Sequence, residues 1–89
     1  MEEKNIIITT LDLKEDYEIL GSLYVIEHLT LSPKEEEVDK VLNILVERIK
    51  RKCRDLDGDA VIGCQFLRSG AVERSLSISG TAVKIKSKS

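Results

Sequence analysis

Tryptophan is absent from the 89 residues, phenylalanine, proline and methionine occur once each, and tyrosine twice. With aromatic side chains so scarce, a core has to be assembled from isoleucine, leucine and valine. A domain this small buries only about 60 to 65% of its unfolded surface, so completion of the core by a surface outside the chain is expected. A single proline and five glycines leave no Pro/Gly-rich linker or low-complexity block, and one domain over residues 1–89 is the expected organisation. Two cysteines are too few for a secreted disulfide scaffold and lack the C-x-x-C spacing of a zinc or redox motif, which fits a reducing compartment. Charge of one sign is lacking too. The 14 Lys and Arg balance 16 Asp and Glu, which disfavours a large field for nucleic acid. No apolar run approaches the roughly 20 residues that span a bilayer, and the acidic start Met1-Glu2-Glu3 is unlike a signal-peptide n-region. A soluble, cytoplasmic protein without a membrane partner is expected.

The clearest element present is a helix. Ser32-Pro33-Lys34-Glu35 combines an N-cap serine, a proline at the first helical position and a glutamate able to close a capping box. Val38, Val41, Leu42, Leu45, Ile49, Cys53 and Leu56 then recur at three-and-four spacing, one apolar stripe over about five turns. Glu35, Glu36 and Glu37 at the start and Arg48, Lys50, Arg51, Lys52 and Arg54 at the end complement the helix dipole, and Gly58 is placed to end the helix in a left-handed conformation.

On both sides of the helix the period is two. Residues 5–9 form a short β-branched run, and residues 17–29 a longer one whose two alternating sets are both apolar: Tyr17, Ile19, Leu23, Val25 and Leu29 against Leu20, Tyr24 and Ile26. A strand apolar on both faces has to be covered on both faces. Residues 59–67 offer Ala60, Ile62, Cys64 and Phe66 on one side, and Arg68-Ser69-Gly70-Ala71 reads as a hairpin turn. In residues 72–86 the apolar positions pass from even (Val72, Leu76, Ile78) to odd (Val83, Ile85), the pattern of a β-bulge next to Gly80. The predicted fold is α+β in β-β-α-β-β order, one long amphipathic helix on a mostly antiparallel sheet. One helix covers one face only, so the other face predicts self-association. Tyr17, Ile19, Tyr24 and Ile26, drawn from both alternating sets, are the expected contacts with a neighbouring subunit or with a ligand held between subunits.

Thr9-Thr10, Tyr17-Glu18-Ile19-Leu20-Gly21, the helix ending in Leu56-Asp57-Gly58-Asp59-Ala60-Val61-Ile62-Gly63, and Ser79-Gly80-Thr81-Ala82-Val83 form a colinear set over nearly the whole chain. The set resembles the YbjQ-like family, sometimes labelled heavy-metal-binding. That resemblance implies a small subunit, related in fold to dodecin subunits, that assembles into a ring-like pentamer with strand pairings between subunits. Two departures stand out. Family members carry a longer segment between the second strand and the helix, where this chain has only Thr30 to Ser32, and they have Gly-Ala where it has Asp57-Gly58.

Candidate chemistry is sparse. Cys53 falls on the inner helical stripe and Cys64 on the same alternating set as Ile62 and Phe66, so both read first as small core hydrophobes and only second as soft-metal ligands. His28, the sole imidazole, reads as a strand-end residue, with a transition metal shared by His28 of several subunits as the functional counterpart. Asp55, Asp57 and Asp59 alternate as in a calcium loop, but Ala60 and Phe66 stand where that loop needs glycine and glutamate. The basic helix end lacks any aromatic stacking platform, and the serines near the end of the chain sit in no nucleophile elbow. A non-enzymatic homo-oligomer without a required cofactor is expected, serving assembly or binding a small molecule between subunits. Heavy-metal binding through His28, Cys53 and Cys64 is the alternative that the family label implies.

Overall fold

The computed structural model describes residues 5–29, 35–69 and 75–86. Their elements are β1 (Ile7–Ile8), β2 (Tyr17–His28), α1 (Glu35–Asp55), β3 (Ala60–Ser69) and β4 (Ser75–Ile85). The β-β-α-β-β order is that predicted. The capping residues Ser32, Pro33 and Lys34 and the hairpin residues Gly70 and Ala71 lie outside the described residues, as does Val72.

The four strands form one mixed sheet in the order β1-β3-β4-β2. β4 runs antiparallel to both β2 and β3, and β1 pairs parallel with β3. The crossover through α1 therefore joins two parallel strands, β2 and β3, with β4 inserted between them. Helix α1 packs on one face. Leu45, Ile49 and Cys53 interlock with Ile6, Leu23, Val25, Val61, Cys64, Leu76, Ile78 and Ala82, and Leu20, Val38, Val41 and Leu42 close the margins. The helix lies chiefly across β2 and β4 and less over β3. The shortest dimension of the molecule is 18 Å, enough for one helix layer and one sheet layer and no third.

The parity change in β4 comes from a different cause than the predicted bulge. β4 alternates without interruption: Leu76, Ile78 and Ala82 face the helix, while Val83 joins Ala60, Ile62, Leu13 and Tyr17 in a small cluster on the opposite face. The irregularities are in its two neighbours, between Ile19 and Gly21 in β2 and between Ile62 and Gln65 in β3. The β3 bulge contains Gly63 at φ 60° and returns Cys64 to the helix side, so Ala60 and Ile62 do not share a face with Cys64 as predicted. Gly80 is the residue that lets this bulge lie close. A Cβ there would stand 2.5 Å from Val61 Cγ1 and 3.1 Å from Cys64 Sγ.

At the end of α1 the left-handed residue is Asp57, at φ 60°, and not Gly58. The Asp57 N–H donates to the Arg54 carbonyl (2.9 Å) and the Gly58 N–H to the Cys53 carbonyl (2.9 Å), the paired bonds of a Schellman motif. Gly58 is required for space: a Cβ would meet Cys53 Sγ at 2.5 Å.

Candidate functional site

The bulge at Leu20 decides which side chains share the uncovered face. Leu20 and Leu23 both turn to the helix, so the parity of the outward set changes along β2: Tyr17 and Ile19 before the bulge, Ser22, Tyr24, Ile26 and His28 after it. The four predicted contact residues Tyr17, Ile19, Tyr24 and Ile26, taken from opposite alternating sets, thus come together on one face. Ile19 is 66% exposed, Tyr24 56% and Ile26 42%. Tyr17 is half-buried, and its hydroxyl donates to Asp12 Oδ1 at 2.7 Å. That bond, with a second from the Leu13 amide, holds the Asp12 carboxyl below its usual range, and the same carboxylate raises the Tyr17 phenol.

Register carries the surface across three strands. Tyr24 stands beside Ser79 and then Gln65, Ile26 beside Ser77 and then Leu67, and His28 beside Ser75. Ser75, Ser77, Ser79 and Thr81 form a line of small hydroxyls on β4, flanked at Ser77 and Ser79 by the larger side chains of Ile26 and Tyr24 on β2 and Leu67 and Gln65 on β3. The middle of this face is thus a hydroxyl row between Tyr24 and Ile26 on β2 and Gln65 and Leu67 on β3, the outer strands lying roughly 10 Å apart, two interstrand spacings. The row is drawn in close: Ser77 is buried, and its hydroxyl donates to the Leu67 carbonyl at 3.4 Å. The hydroxyl row was not foreseen, although the serines at 75, 77 and 79 alternate strictly.

The proposed metal ligands are not assembled. Cys53 and Cys64 are free thiols buried on the helix side, and they donate to the carbonyls of Ala60 and Val61, each at 3.5 Å. Burial pushes the Cys64 thiol up, with the Thr9 amide opposing to a smaller extent. His28 lies on the other face, opposite Ser75, whereas Cys64 lies by Gly80, roughly 16 Å farther along β4 at strand rise. Among the described residues no three His, Cys, Asp or Glu side chains gather as metal ligands. Two of the three alternating aspartates are engaged in the fold: Asp57 pairs with Lys84, and Asp59 Oδ2 accepts from the Ile85 amide at 2.8 Å. At the basic end of α1, Arg48 pairs with Glu27 of β2 and, with Asn43, Ile44, Glu47, Arg51 and Arg54, borders a shallow outward groove. No helix among the described residues is long and apolar enough to cross a membrane.

No family model and no curated protein matches the sequence. The crystal structure of a protein with unknown function from Pediococcus pentosaceus, a member of the DUF74 family, which is related to the YbjQ-like family, does match in shape. It superposes with a TM-score of 0.78 over 91% of this chain and 98% of that one, at 21% identity. The likeness establishes that this chain shares the one-helix, four-strand fold of that protein.

Proposed function

We propose that the chain is the subunit of a non-enzymatic homo-oligomer, a pentamer as the YbjQ-like resemblance implies, that covers its open sheet face by assembly and holds a small ligand between subunits. The supporting observation is the open face itself. Ile19, Tyr24, Ile26 and Leu67 are each more than 40% exposed, with no third layer among the described residues, and apolar surface of this kind marks an association site. The hydroxyl row on β4 supports the ligand part, because it offers polar groups beside the apolar side chains Tyr24, Ile26 and Leu67, a mixed surface that a neighbouring copy would close. Among the described residues only Leu13 and Tyr17 pack on that side, against Ala60, Ile62 and Val83, and no helix or second sheet lies over Tyr24, Ile26 and Leu67. The heavy-metal alternative rests on His28 alone, with the cysteines on the opposite face.

Native mass spectrometry of the protein as purified tests both parts in one spectrum. A closed oligomer with retained mass is the expected result. A closed oligomer without retained mass leaves assembly as the function and removes the ligand, and a monodisperse monomer at micromolar concentration overturns the proposal.

A further inference from the structure

We infer that the outward side of α1 pairs with the same side of α1 in a second copy, antiparallel about a two-fold axis between Asn43 and Ile44. The helix carries the observation in its sequence. Counted outward from that midpoint, each charge in residues 35–52 is matched by an opposite charge at the same distance: Glu36 by Arg51, Asp39 by Arg48, Lys40 by Glu47, and Glu35 and Glu37 by Lys52 and Lys50. In a two-fold contact residue i meets residue j while j meets i. Antiparallel helices centred on this point bring opposite charges together along the whole contact, whereas a parallel pair in register sets like against like.

The contact side is open in the folded chain. Glu36, Lys40, Asn43, Ile44, Glu47 and Arg51 recur at three-and-four spacing, roughly half a turn round the helix from Leu45 and Ile49, and each is exposed. Ile44, 44% exposed, stands in the middle of this stripe, in the groove that Asn43, Glu47, Arg48 and Arg51 border. The axis passes beside it. Each copy's Ile44 therefore enters the other's groove, while Glu36 and Lys40 on one side reach Arg51 and Glu47 on the other.

Two simpler accounts of the charges fall short. The helix dipole favours acids at the start and bases at the end, which covers residues 35–37 and 50–52 but not the middle. Lys40 lies in the acidic half and Glu47 in the basic half, and the two run against the gradient at equal distances from the midpoint. Ion pairs along the helix would join Glu36 to Lys40 and Glu47 to Arg51 at i,i+4 spacing. Among the described residues neither pair forms; Glu47 lies 3.9 Å from Lys50, and Arg48 is held at the flank by Glu27 of β2. The contact uses the side of α1 away from the sheet, so it goes beyond the assembly proposed above and leaves the open sheet face free. With one apolar side chain from each copy at its centre and exposed charges around it, the link is reversible and weakened by salt.

Sedimentation equilibrium of the full chain at about 0.01 M and at about 1 M salt, where the screening length falls from about 30 Å to about 3 Å, tests this. The mass at low salt is expected to be at least twice that at high salt, whether the high-salt species is a single chain or a closed oligomer. Lys40→Glu or Glu47→Lys alone, with helix content checked by circular dichroism, is expected to weaken the low-salt association about tenfold, and the two together in one chain to restore it. The double variant separates the two kinds of ion pair, because it re-forms the contacts between copies while it sets like charges beside Glu36 and Arg51 within each helix. A mass that does not change with salt, or a double variant that associates no better than the single ones, overturns the helix pairing. A single chain at high salt that doubles in mass at low salt overturns the closed oligomer and supports the helix pairing.

Discussion

Two close approaches at glycine set the tolerance of the fold to substitution. At Gly80 a methyl group would meet Val61 and Cys64 in the β3 bulge and stand 3.2 Å from the Ile62 carbonyl, where backbone cannot move aside without losing the bulge. Gly80→Ala should therefore cost about 1 to 3 kcal/mol of stability in a denaturant titration, the range for overpacking a tight site. A titration at Asp12 is also readable. Its carboxyl is held below the usual range mainly by the Tyr17 hydroxyl, so this contact stabilises the fold above the ordinary carboxylate pKa and is lost as pH falls through the lowered value. Tyr17→Phe should move the Asp12 titration upward in carboxyl-carbon NMR. An unchanged titration would show that the bond does not form in solution.

At the scale of elements, the helix was legible because its signal is local and repeated. The apolar stripe, acidic start and basic end all agree, and the buried residues Leu45, Ile49 and Cys53 fall where the three-and-four spacing puts them. Ile49→Ala, at a fully buried position under the sheet, should lower stability by about 2 to 5 kcal/mol in the same titration. The strands were legible in place but not in phase. A bulge leaves little trace in composition, and its effect is to exchange the two faces of everything that follows. The apolar switch in β4 invited a bulge beside Gly80, whereas Val83 simply belongs to a second cluster with Ala60 and Ile62 on the other face. Gly80 had a signal, but the signal concerned the bulge in the strand next door.

For the whole molecule, the open face follows from counting layers: one helix, one sheet and side chains apolar on both faces of β2. That much was accessible from residues 17–29. The selection of Tyr17, Ile19, Tyr24 and Ile26 as a set was not derivable from alternation, since it crosses the bulge. Ile26→Lys, at a position 42% exposed in the single chain, should leave the helix content unchanged and weaken self-association about tenfold or more by sedimentation. Unaltered association would remove this part of the sheet from the interface.

The sequence by itself determined the element order, the helix with its buried stripe, and the shortage of covering surface, because these depend on periodicity and composition within short windows. Only the tertiary structure decided that β1 and β3 are neighbours, that β4 separates β2 from β3, and that His28 and the two cysteines lie on opposite faces of the sheet. Those outcomes depend on strand pairing and on bulges in two separate strands. Pairing energies are set between residues dozens of positions apart, and no local pattern records them.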